Sequence, residues 1–159
     1  MKITTAILFY TISILSFVQN PILFRAKKNP MKHEISNQLK IQITIGNKKF
    51  DATLLDNETA LAFKKNLPLE IKMFELNDNE KYGELKNRLP TKPSNPRKIH
   101  IGDLMLYGDQ TLVLFYKSFN TSYSYSSIGK IDNVEGLEVA LGSGNPVVKF
   151  ELSSFISFR

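Results

Sequence analysis

From Gln38 to Ile45 every second residue is apolar: Leu39, Ile41, Ile43 and Ile45 alternate with Gln38, Lys40, Gln42 and Thr44. A period of two puts one set on a buried face and the other toward water, so the segment is predicted as a half-buried strand. Gly46-Asn47 turns the chain, and Phe50–Leu55 continues as a second strand with Phe50, Ala52 and Leu54 on one side. Asp56-Asn57 then offers side-chain acceptors to the free N–H groups of a helix start. Ala60, Phe63 and Leu67 follow at helical spacing, and Pro68, which lacks an N–H, stops the helix. Leu69–Leu76 alternates again through Leu69, Ile71 and Met73, with Phe74 and Leu76 out of phase. That slip predicts a bulge or a strand covered on both faces.

Asn77–Leu89 is polar, and Pro90, Pro93 and Pro96 keep the next stretch extended, so a long exposed connection is predicted there. Lys98–Ile101 opens a new strand. After it come two almost continuous apolar runs, Leu104–Tyr107 and Leu112–Tyr116, flanking Gly108-Asp109. Such runs read as buried strands, and a Gly able to take positive φ suits a two-residue hairpin turn between them. Phe119–Ser127 interleaves aromatic and hydroxyl residues. Ser126–Ile131 is a further strand. Asp132-Asn133 caps a second short helix carrying Val134, Leu137 and Leu141, which Gly142-Ser143-Gly144 ends, and Val147–Leu152 is the last strand. The count is about eight strands and two short helices with no βαβ alternation, which argues for a mainly β, closed or nearly closed antiparallel barrel with the helices at its ends.

The 159 residues make one domain, expected over residues 37–155, with an N-terminal appendage over residues 1–36. Ile3–Val18 carries no charge and follows Lys2, the shape of a secretory signal. No small-residue cleavage pattern stands at Val18-Gln19-Asn20, and Ile22–Phe24 extends the apolar run toward bilayer-spanning length, so an uncleaved anchor is the second reading. A start codon placed too far upstream of a cytoplasmic protein is the third. The expected location is therefore outside the cytoplasm: periplasmic, secreted or membrane-anchored through this segment.

The formal charge of +6 would fit a nucleic-acid binder if it were spread over the fold. It is not: Lys2, Arg25, Lys27, Lys28 and Lys32 precede the domain, opposed only by Glu34, and the rest of the chain is nearly balanced. No nucleic-acid partner is expected. There is no cysteine, hence no disulfide, thiolate metal site or Cys nucleophile. The sequence has no His pair at ligand spacing, no Gly-x-Ser-x-Gly and no phosphate- or dinucleotide-binding glycine loop, so no metal, cofactor or catalytic set is expected.

Four segments carry a family resemblance: NEKYGELKNRLP (Asn79–Pro90), KIHIGDLMLYG (Lys98–Gly108), LVLFYKSFNTSYSYSSIGKID (Leu112–Asp132) and GLEVALGSG (Gly136–Gly144). In these the chain resembles the bacterial cyclophilin-like family over roughly Lys40 to Leu152. The resemblance implies an eight-stranded cyclophilin-type barrel capped by two short helices, mostly without an assigned activity. It also raises prolyl isomerisation, which needs an apolar pocket and a fixed cation near the prolyl nitrogen. The arginine-bearing strand of ordinary cyclophilins has no counterpart here. The arginines of the folded body are Arg88 and Arg97, both in or beside the proline-rich connection.

The better candidate surface is the aromatic-hydroxyl cluster. Tyr116, Phe119, Thr121, Tyr123 and Tyr125 lie within ten residues, and Tyr123 and Tyr125 face together if extended. With Tyr82 they offer the apolar area and polar tips favoured in ligand sites. Glu80, His100, Arg88 and Arg97 are possible polar contributors, and Glu80, Tyr82 and His100 would suit acid-base work if they met. The expected function is a non-enzymatic module holding a small ligand or extended peptide. The alternatives are an atypical prolyl isomerase and a purely structural partner domain, in which the aromatic cluster would be buried and no pocket present.

Overall fold

The computed structural model describes residues 39–153. The predictions for residues 1–36, and the outermost residues of the expected domain, lie outside that range. Among the described residues eleven strands and two helices follow one another. Strand β1 (Lys40–Ile45) and strand β2 (Lys48–Leu54) form the predicted hairpin across Gly46-Asn47, with Ile45 opposite Lys48. The alternation is realised: Ile41, Ile43, Ile45, Phe50, Ala52 and Leu54 are all buried.

Helix α1 (Glu58–Lys65) begins where Asn57 Oδ1 accepts a hydrogen bond from the Ala60 N–H at 2.8 Å. Thr59, Ala60 and Phe63 face the core, and the Phe63 ring meets Phe150 edge-on at 5.7 Å. Leu67 lies beyond the helix end, so it is not on the buried helical stripe.

Strands β3 (Leu69–Lys72) and β4 (Phe74–Leu76) correct the reading of Leu69–Leu76 as one bulged strand. At Met73 the chain leaves one edge of the sheet and joins the other: β3 pairs with the last strand, whereas β4 pairs with β5 (Glu80–Glu84). The slip in phase records that change of partner. Strand β5 also corrects the polar connection predicted for Asn77–Leu89, since it lies within the sheet and pairs on both sides.

Two very short strands, β6 (Lys98–Ile99) and β9 (Phe119–Asn120), pair with each other outside the main sheet. Between them β7 (Asp103–Tyr107) and β8 (Thr111–Phe115) form the apolar hairpin. Tyr107 stands opposite Thr111, so the loop is Gly108-Asp109-Gln110, three residues rather than two, with Gly108 at φ +61°. Strand β10 (Ser126–Ile131), helix α2 (Leu137–Leu141) and strand β11 (Val147–Leu152) complete the fold. Helix α2 starts later than predicted: Asn133 caps a turn at the Glu135 N–H, and Gly136 stands before the helix.

The main sheet has nine antiparallel strands in the order β3-β11-β1-β2-β10-β7-β8-β5-β4. Its two edges are consecutive in sequence, and β3 comes back against β5, so the sheet curls into a nearly closed barrel. The interior holds the large core, to which α1 contributes Ala60 and Phe63 and α2 contributes Leu137 and Leu141. A second, smaller cluster of Ile99, Met105, Val113, Phe115 and Tyr125 lies on the outer face of β7 and β8. Being covered on both faces, these two strands must be apolar at nearly every position.

Gly83 on β5 is where the barrel closes. A Cβ there would stand 2.8 Å from Ile71 Cδ1 and 2.9 Å from the Lys72 carbonyl oxygen. The missing side chain lets β5 approach β3. Gly83→Ala is expected to destabilise the domain by about 1–3 kcal/mol through overpacking against backbone. Chemical denaturation measures it; an unchanged midpoint would mean the seam is not tightly packed.

Candidate functional site

Because β5 is extended, its side chains alternate between the barrel interior and the outer face. Lys81 points inward and is fully buried. Its ammonium donates to a Glu75 carboxylate oxygen and to the Gly144 carbonyl at 2.7 Å, and lies 5.7 Å from the Tyr116 ring centroid. Tyr116 donates its hydroxyl to the other oxygen of Glu75 at 2.7 Å. A buried cation requires such partners, because an unpaired one would be far costlier. Burial opposes ionisation of Glu75, but hydrogen bonds from Lys81 and Tyr116 and the Lys81 charge outweigh it and hold its pKa below the usual value. Burial, with the adjacent Glu75 carboxylate, pushes the Tyr116 hydroxyl well above the usual phenol range.

The outward set of β5 is Glu80, Tyr82 and Glu84. These three line an open pocket of about 350 Å³ on the outside of the barrel. Val113 and Thr111 of β8 form its floor with them, and Tyr107 closes one end of the β7–β8 hairpin. Phe119, Tyr123 and Tyr125 arrive from the segment that crosses the outer face, and Leu76 and Asn77 from the β4–β5 turn.

The aromatic walls are packed against one another. Tyr107 meets Tyr123 edge-on at 6.2 Å and Tyr125 at 5.8 Å. Phe115 beneath contacts Tyr125 at 5.5 Å and Phe119 at 5.8 Å. The crossing segment is held in place by its backbone. Ser94 and Tyr125 exchange N–H to carbonyl hydrogen bonds of 2.9 and 3.0 Å, and the Thr121 N–H donates to the Arg97 carbonyl at 2.9 Å. The proline-bearing connection therefore serves as the anchor for the pocket's aromatic wall.

Glu80 is only 7% exposed, yet no hydrogen bond or ion pair among the described residues engages its carboxyl group. Burial, and secondarily the Glu75 charge, raise its pKa to about 7. Glu84 is more exposed and accepts a hydrogen bond from the Thr111 hydroxyl at 2.7 Å. No lysine, arginine or histidine lines the pocket. Tyr125 also has a raised pKa, from burial first and from the Glu80 charge second.

Of the residues singled out in the sequence, the fold brings Glu80, Tyr82, Phe119, Tyr123 and Tyr125 to one pocket. Tyr116 belongs to the opposite face, one residue out of phase with Phe115, and serves the pair of buried Lys81 and half-buried Glu75. Thr121 does not line the pocket; its hydroxyl accepts from the Tyr123 N–H at 3.1 Å and braces the wall from behind. His100 sits on the exposed turn before β7, where its backbone N–H donates to Asp103, so it does not meet Glu80 and Tyr82. Arg88 is exposed and paired with Asp109, and Arg97 is exposed with φ +63°; neither lines the pocket. Sequence reasoning missed Tyr107 and Glu84, together with Thr111 and Val113 of the floor and Leu76 and Asn77 at the rim. Glu84 was findable: Glu80-x-Tyr82-x-Glu84 has the period of a strand face, obscured by polar residues.

Among the described residues no group of three His, Asp or Glu side chains could hold a metal ion, and no helix is long and apolar enough to cross a membrane. The molecule is thus an antiparallel β-barrel with an aromatic, acid-lined pocket on its outer wall. It belongs to the cyclophilin-like family, whose model matches residues 43–151. A hypothetical protein of Archaeoglobus fulgidus, known from a solution structure, shares 17% identity, with 74% of this chain and 97% of that one covered at a TM-score of 0.49. No curated protein matches the chain.

The raised pKa makes stability depend on pH with a definite sign. An unfolded Glu titrates near 4.5 and folded Glu80 near 7. Below the lower value both states are protonated and the group has no adverse effect. As pH rises from 4.5 toward about 7 the unfolded state ionises while folded Glu80 stays protonated, so the fold loses stability progressively over that window and no further above it. Glu80→Gln, which cannot ionise, should match the parent in acid and exceed its stability above pH 8, by about 3 kcal/mol at most. Thermal melts of both proteins across pH test this; curves that stay parallel would contradict it.

Proposed function

We propose that this domain is a binding module that holds a small ligand, or one side chain of an extended peptide, in the pocket on the outer face of β5, β8 and β7. The observation that carries the reading is the half-covered aromatic enclosure beside a largely buried acid that has no partner among the described residues. Apolar walls with a few convergent polar groups are the usual make-up of a ligand site. Tyr123 is 62% exposed and Tyr107 48%, so the cluster is not sealed as a purely structural domain would have it. A neighbouring cavity of about 440 Å³ shares Tyr82 and Glu84 and runs along the β3–β5 seam, giving room for a ligand longer than the pocket itself. The isomerase alternative draws no support from the pocket, which has no arginine on its walls.

A fragment screen by protein-observed NMR tests the reading. Hits should shift the amides of Tyr82, Val113 and Tyr125, and pocket-filling Thr111→Trp should abolish them while the fold, monitored by its melting temperature, persists. Val113→Phe fills the same space from the floor and serves if the first variant is unstable. Hits scattered over the surface, or surviving both substitutions, would contradict a binding role for the pocket.

We further propose that the domain works outside the cytoplasm or tethered to a membrane, on the strength of the apolar stretch Ile3–Val18 behind Lys2. The protein isolated from its own cells should be trimmed at its N-terminus or recovered with membranes. An intact chain starting at Met1 in the cytosolic fraction would overturn this.

A further inference from the structure

Resting on the binding reading above, we infer that the ligand taken by this pocket carries an organic cation: an amine, a quaternary ammonium group, or the methylated or free ammonium of a lysine side chain. Three observations converge. The walls are rings: Tyr82, Tyr107, Phe119, Tyr123 and Tyr125 surround one space. Aromatic faces carry negative quadrupole charge and attract cations most strongly where water is excluded. The polar groups of ionisable type on the walls, phenols aside, are two carboxyls, Glu80 and Glu84, with no basic residue among the lining side chains.

The third observation is the state of Glu80. It is more than nine-tenths buried, lines the pocket, and has no hydrogen-bonding or ionic partner among the described residues. Its carboxyl oxygens open into the pocket rather than onto a protein partner, and in so enclosed a place ionisation carries a free-energy cost. Its counterpart on the inner face shows what relieves such a cost: Glu75 is satisfied by Lys81 and Tyr116. Nothing equivalent reaches Glu80. A cation entering among the rings would stand where that missing partner belongs and would draw the carboxyl into its ionised form.

Charge selection separates this from simple apolar binding. A neutral ligand would leave Glu80 protonated and Glu84 facing it. An anion would meet Glu80 and Glu84. The titratable groups around Glu80 are Glu75 from β4, with Lys81 of β5 paired to it on the inner face, Glu84 and Tyr82 of β5, Tyr107 of β7, and Tyr123 and Tyr125 of the crossing segment. None of those lining the pocket supplies positive charge. Binding of a permanent cation should therefore tighten as pH rises through the Glu80 titration and should release a proton.

The test uses the folded domain in its full chain, with choline and its neutral isostere 3,3-dimethylbutan-1-ol as probes. Isothermal titration calorimetry and amide shifts should show choline bound with Kd below about 1 mM and at least about tenfold tighter than the isostere. Glu80→Gln should lose most of that preference and the rise in affinity between about pH 6 and 8. An acetylated, amidated peptide bearing trimethyllysine distinguishes the source: tighter binding than choline assigns the cation to a protein side chain, and equal or weaker binding to a free small molecule. Equal affinity for choline and the isostere would overturn the cation assignment and leave the binding module standing. Binding of neither probe at Tyr82, Val113 and Tyr125 would overturn it as well, and fragment hits in the same pocket would show that only the ligand class had failed.

Discussion

Strand β5 has five residues and no solvent side to spare. Its inner face must pack against β3 to close the barrel, and its outer face is roofed by a segment from the far side of the hairpin. The sequence meets this by putting Gly83 where the backbone of β3 presses in and Lys81 where a charge can be satisfied inside. The Lys81 pairing with Glu75, together with the Tyr116 hydroxyl and the Gly144 carbonyl, ties four separate parts of the chain into one buried polar cluster. Once that cluster fixes β5, alternation alone places Glu80, Tyr82 and Glu84 outward in one row.

The pocket is thus a by-product of closing the barrel at one particular strand. Its floor is hydrogen-bonded sheet, which holds Val113, Tyr82 and Glu80 in fixed relation. Its wall is an irregular segment, but one bonded into the connection at Ser94 and Arg97 and wedged by Phe115 from below. Preorganisation of this kind limits what must be ordered when a ligand arrives. The two faces of β5 also set opposite electrostatic conditions a strand's thickness apart. Inside, Glu75 is charged and paired. Outside, Glu80 lacks a partner and is pushed toward neutrality by its burial and by Glu75 itself.

Much of the barrel could be read from spacing. The Ile41-Ile43-Ile45 alternation, the Asn57 cap, the Gly46-Asn47 hairpin and the final strand all came from local rules that the tertiary structure did not override. The failures share a cause. Strand β5 looked like loop because its residues are polar, and each is polar for a reason that lies elsewhere in the chain: Lys81 for Glu75 and Gly144, Glu84 for Thr111. The β3–β4 break could not be told from a bulge, since a change of partner leaves the same slip in phase. Tyr116 was grouped with the site because the apolar run containing it is buried on both faces, which erases the period that would have shown its direction. The aromatic cluster itself was legible, whereas the acid beside it became meaningful only when the fold showed it buried and unpaired.

Carbon-13 NMR of the side-chain carboxyls, followed across pH, interrogates this account at its centre. Glu80 should titrate near 7, with Glu75 below its usual range. A Glu80 resonance that titrates near 4.5 like a free glutamate would mean that the group is solvated or paired, and the acid-lined pocket described here would not exist.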